Sequence, residues 1–255
     1  MRDSGKNYWV LWVLFLAAFF SSFQQKRIGN RNSLSAIKLT FINNVNGSKI
    51  SFNDSTYTNS FGENYTITKL RYYVTNISLQ SGSQSVKEKN SYHLIDESKG
   101  ESQVIKFLMP EGEYNAMQFL LGVDSLHNVS GAQTDALDPA NDMFWTWNTG
   151  YVMAKMEGYS SSSKQANNKF EFHIGGFLGP FNVLQRVQLD FPGGHHFVAG
   201  KNYEITINAD INNWWQQPHD IKISEHAIIT SPGKFAKDIS ENYAKMFRIE
   251  KITTE

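Results

Sequence analysis

The chain has 255 residues, enough for one large domain or two small ones. Lysine plus arginine and aspartate plus glutamate each total 24, so the formal charge is zero; this offers nucleic acid no electrostatic attraction, and no basic run suits an anionic membrane surface. Hydrophobic residues make up 40% and cysteine is absent, so an apolar core must hold the fold, and any metal site must use imidazole, carboxylate or a less usual donor.

In chain order, residues 1–30 read as a targeting segment. Arg2 and Lys6 precede an unbroken apolar run, Tyr8 to Phe20 (YWVLWVLFLAAFF). Its length fits the core of a signal peptide and is short for a membrane span. SSFQQ lacks a clean small-x-small cleavage pattern, so an N-terminal membrane anchor is the alternative. Residues 24–36 read as a polar linker, after which Ile37, Leu39 and Phe41 alternate with polar neighbours. Asn46-Gly47 then signals a hairpin. Further strand patterns follow at 70–79, 92–95, 104–108 and 114–123. From Asp124 to Asp142 no period is sustained, which reads as a long loop. The stretch MFWTWNTGY (143–151) leaves that loop as an aromatic strand carrying Trp145 and Trp147. KFEFHI (169–174), VQLDF (187–191) and YEITINADI (203–211) alternate cleanly. Near the end, Phe235, Ile239, Tyr243 and Phe247 recur every four residues after Ser231-Pro232-Gly233, one apolar helical stripe. About nine or ten strands, one C-terminal helix and no βαβ rhythm predict an all-β fold. The expected architecture is an antiparallel β-sandwich or open barrel, a single domain over 31–255, with a parallel sheet disfavoured.

The chain lacks GxSxG, HExxH and phosphate-loop patterns, and its carboxylates are scattered, so it does not read as an enzyme. None of the seven histidines forms an HxH or Hx3H pair. His195-His196 follow Pro192-Gly193-Gly194 and read as a solvated hairpin tip, while His219 and His226 flank a further strand. His173 differs: Phe170, Phe172 and Ile174 share one face of its strand, Glu171 and His173 the other. The bland reading is a partly exposed β-strand histidine; the sharper one is a copper or zinc ligand. Trp145 and Trp147 likewise read as packed core or as a site of chemistry.

GVDSLHNVSGAQTDALDPANDMFWTWNTGYVMAKMEG, FEFHIGG and PGKFAKDISENYAKMF resemble the MbnP-like family over about Ile37 to Ile249. This family is similar to exported copper-binding proteins of methane-oxidising bacteria and has a branch in Bacteroidota. The resemblance implies an exported β-sandwich, periplasmic or at the cell surface, that is not itself catalytic. It implies that a tryptophan, here Trp145 or Trp147, is oxidised to kynurenine by a partner dihaem enzyme of the cytochrome c peroxidase type. The kynurenine amine then joins histidine in binding copper, with His173 the leading ligand. One departure accompanies it: in the methanotroph branch a histidine follows the asparagine matching Asn128, whereas here Val129 follows and His127 precedes. His127 is therefore the second candidate, and a metal-free β-sandwich binding module is the alternative reading.

Overall fold

A computed structural model describes residues 33–145 and 150–255. The leader and Trp147 lie outside the described residues. The strands are β1 (Leu34–Val45), β2 (Ser48–Lys49), β3 (Tyr57–Thr58), β4 (Asn64–Ser81), β5 (Gln84–Lys87), β6 (Tyr92–Asp96), β7 (Val104–Pro110) and β8 (Gly112–Leu121). A short helix α1 (Ser125–Asn128) follows, then β9 (Phe144–Trp145), β10 (Gly150–Tyr159), β11 (Lys169–Gly175), β12 (Gln185–Phe197), β13 (Asn202–Asp210) and β14 (Ile228–Ile229). Helix α2 (Lys234–Tyr243) and β15 (Phe247–Thr254) close the chain.

These fifteen strands among the described residues form a sheet of five and a sheet of ten, stacked in a sandwich-like arrangement without a closed barrel. The larger sheet runs β12-β8-β4-β10-β11-β14; the smaller runs β15-β13-β1-β2, with β7 also on β1. Phe41 of β1 meets Tyr72 of β4 at 6.5 Å and Phe119 of β8 at 6.2 Å between ring centroids. These are edge-to-face contacts between the sheets, and they mark the core. The excess over nine or ten strands comes largely from two-residue bridges such as β2, β3, β9 and β14, too short to leave a periodic trace.

Several sequence expectations are corrected. β1 starts at Leu34, inside the supposed linker, because Leu34 to Thr40 ladder onto Pro110 to Val104 of β7. The sheets are mixed rather than purely antiparallel. β1 pairs β13 in parallel from Ala36↔Asn202 to Asn44↔Asp210, a partnership between distant segments that no local pattern announces. Phe247 leaves the helical stripe to open β15, where its ring packs against Phe41 at 6.3 Å. His195-His196 are not a hairpin tip. Gly193 and Gly194 both have φ +77, and the chain bulges there before rejoining β8 at His195↔Tyr114 and His196↔Glu113. No strand lies between His219 and His226.

Candidate metal site

The large sheet turns one face toward the sandwich core and the other outward. In β11, Phe170, Phe172 and Ile174 are fully buried on the core side, as the alternation in KFEFHI requires. His173 therefore points outward. Register places it opposite Lys155 of β10, which lies opposite Arg71 of β4; one row further along, Glu171, Glu157 and Lys69 line up. His173 Nε2 is 2.8 Å from Glu157 Oε1, and Lys69 Nζ is 3.5 Å from Glu157 Oε2. The hydrogen bond from His173 holds the Glu157 carboxyl below the usual range against the opposing effect of burial, with Lys69 and Lys155 adding to the pull.

The same band ties down the segment that leads into Trp145. Lys155 is only 3% exposed, a buried cation that needs a partner. Its Nζ donates to the Asp142 carbonyl oxygen and lies 3.0 Å from Asp142 Oδ2. Lys69 Nζ is 3.2 Å and Arg71 Nη1 3.8 Å from that carboxylate, and Arg71 Nε is 2.9 Å from Asp96 Oδ2. Burial pushes Asp142 up, but hydrogen bonding and charge from Lys155 and Lys69 outweigh it and lower its pKa.

Beyond this band the outer face is aromatic. Trp145 pairs with Gly150 in the β9–β10 ladder and is 7% exposed. Its six-membered ring occupies the space a side chain at Gly175 would take: a Cβ there would stand 2.5 Å from the ring and 2.9 Å from the Tyr151 carbonyl oxygen. Gly175 is two residues after His173, about 7 Å along the strand, where the β10–β11 register shifts between Val152 and Ala154. The fold thus sets the Trp145 ring against Gly175, two residues along β11 from His173. Tyr151 packs edge-on against Phe144 at 5.1 Å and Tyr73 at 5.7 Å. The hydroxyls of Tyr151 and Tyr73 donate to the carbonyls of Leu137 and Ala136, fastening the 124–143 loop over this end. Trp145, Tyr151, Gly176, Phe177, Leu178 and Pro232 border a cavity of about 290 Å³.

His127 stands at the edge of this region, on α1. Its Nδ1 is 2.7 Å from Tyr92 Oη and 3.0 Å from Asp124 Oδ1, with the Tyr92 and His127 rings 4.2 Å apart. The Tyr92 hydroxyl donates to Asp124 as well. Burial would raise Asp124, but bonds from Tyr92, His127 and Asn76 hold it well below the carboxylate range, while burial and the Asp124 charge push Tyr92 up. This arrangement leaves Nε2 as the nitrogen His127 can offer. The next residue, Asn128, accepts from the Tyr151 backbone N–H at 2.9 Å and borders Gly150, the partner of Trp145. His127 and His173 are thus anchored to different carboxylates on either side of the aromatic end. Among the described residues no three His, Cys, Asp or Glu side chains cluster as a metal site.

The donor set suits copper only with a contribution from outside that group. Imidazole is present at His127 and His173, but an intact indole has no basic lone pair to give. Sequence reading missed Glu157, Asp142 and Lys155, whose carboxylates and amine pattern like ordinary solvated strand and loop residues. The pairing of β10 with β4 and β11 is what assembles them.

The chain matches the family model described as MbnP over residues 34–232. It also resembles the solved structure of MbnP from Methylosinus trichosporium at 13% identity and a TM-score of 0.48, covering 75% of this chain and 80% of that one. No curated protein sequence matches it. The chain belongs to the MbnP family.

Proposed function

We propose that this member of the MbnP family is an exported copper-binding protein whose site combines His173 with a tryptophan-derived kynurenine. Trp145 is the candidate for oxidation that the described residues position, and Trp147 the candidate from the sequence. His127 is the second imidazole. The observation that supports the reading most is the seat of Trp145 on Gly175, two residues along β11 from His173. When bound, copper would take nitrogen donors from the imidazole and the aryl amine, a set that suits copper better than magnesium or calcium. The protein's own part is to hold the ring and the imidazole on one rigid sheet and to keep the surrounding charges paired. The oxidant is proposed to be a dihaem peroxidase-type partner, and the location periplasmic or at the cell surface.

Peptide mass analysis of protein from its native host tests this. Conversion of tryptophan to kynurenine removes one carbon and adds one oxygen, and the change is expected at Trp145 or Trp147 together with copper retained through dialysis. Unmodified tryptophans and no retained copper would leave the metal-free binding module as the reading. A His173→Ala variant of the modified protein is expected to lose most of its copper affinity.

A further inference from the structure

We infer that Glu157 is a positioning residue that holds His173 as its Nε2–H tautomer, leaving Nδ1 as the nitrogen His173 offers to a metal. This rests on the copper reading for the metal, but the tautomer stands on geometry alone. Register sets Glu157 opposite Glu171, one step diagonal to His173, so the carboxylate reaches the far nitrogen of the ring, Nε2, at 2.8 Å. Lys69 on the neighbouring strand faces the other carboxylate oxygen at 3.5 Å. An ionised carboxylate can only accept. The proton of a neutral His173 must therefore sit on Nε2, and its lone pair on Nδ1.

Metal-ligating histidines commonly donate their second ring N–H to a carboxylate, which fixes the ring and raises its basicity. A metal bound at Nε2 instead would displace this bond and leave Glu157, only 17% exposed, with the longer Lys69 contact alone.

The experiment is a long-range proton–nitrogen correlation spectrum of the metal-free, histidine-labelled protein at about pH 8, above the ordinary histidine range of about 6.5. His173 is expected as the Nε2–H tautomer. An Nδ1–H tautomer in this spectrum overturns the inference with no variant needed. Glu157→Gln keeps the shape. Its amide oxygen is expected to turn to Lys69 and its NH2 to donate to Nε2, so the Nδ1–H tautomer appears. An unchanged tautomer in that variant removes Glu157 from the role. Titration with copper(II) alone separates the two levels: affinity should fall roughly 10–100-fold in Glu157→Gln, as for other outer partners of metal ligands. Tautomers as stated with copper bound by neither protein would defeat the copper reading while leaving the positioning role intact.

Discussion

At Gly175 the absence of a Cβ decides where an indole can lie. The ring of Trp145 fills that position so closely that a methyl group there would stand 2.5 Å from ring carbon and 2.9 Å from the Tyr151 carbonyl. Neither neighbour yields easily, since one is a rigid ring and the other is backbone. Gly175→Ala should therefore push Trp145 outward and cost about 1–3 kcal/mol, the range for overpacking a filled site. A lower Tm and a red-shifted tryptophan emission are the expected readings. Unchanged emission would mean that the ring is not seated there. Because the emission change belongs to the unmodified protein, it does not depend on copper. The placement of His173 was legible at this scale: alternation in KFEFHI puts it on the side of β11 opposite Phe172 and Ile174, which are fully buried. Its partner Glu157 was not, because the diagonal between two strands exists only once register is set.

Among the elements, the 124–143 loop covers the outer face of a sheet that already has a core on its other side. It is fastened at three places: Asp124 with Tyr92 and His127, the carbonyls of Ala136 and Leu137 with two tyrosines, and Asp142 with Lys155, Lys69 and Arg71. The loop's irregularity was readable from residues 124–142, but its fastening was not, since Tyr92, Tyr73, Tyr151, Lys155, Lys69 and Arg71 all lie in strands outside it. The same nonlocality explains the missed parallel β1–β13 pair and the misread His195-His196, where local Gly-Gly chemistry suggested a turn and β8 drew the chain back. Asp142→Asn should leave Lys155, 3% exposed, without its counter-charge. The expected loss is about 1–3 kcal/mol, below the value for a fully buried pair because Asp142 itself faces solvent. Faster amide exchange through 124–143 with β4 and β8 unchanged would confirm a local latch, and uniform acceleration everywhere would contradict one. Acid should act in the same direction. Asp124, Asp142 and Glu157 all have lowered pKa values in the fold. The stability they add is complete above the unfolded carboxylate values of about 4 and is lost as pH falls through the lower folded ones. Exchange in the loop should accordingly rise only below about pH 4, and a rise that begins near neutrality would point to histidine instead.

The domain as a whole has two distinct ends. β8 runs ten residues from Gly112 to Leu121, about 30 Å. At its Gly112 end lies the turn from Pro110, the residue opposite Leu34 in β1. At its Leu121 end lie Gly122, α1 and the loop that leads to Trp145. Leu34, the first residue of β1, therefore stands about a strand length away from the candidate site. The absence of cysteine lets single cysteines report this directly. Leu178 is 67% exposed and borders the cavity beside Trp145, whereas Glu111 is exposed in the Pro110–Gly112 turn. A nitroxide on Leu178→Cys should broaden the resonances of Trp145 and Gly150 and spare those of Leu34 and Gly112. One on Glu111→Cys should do the reverse. Broadening of Trp145 from Glu111 would overturn this separation of the two ends, because a nitroxide, whose range is shorter than the length of β8, would reach Trp145 only if the Pro110–Gly112 turn lay beside the Trp145 end.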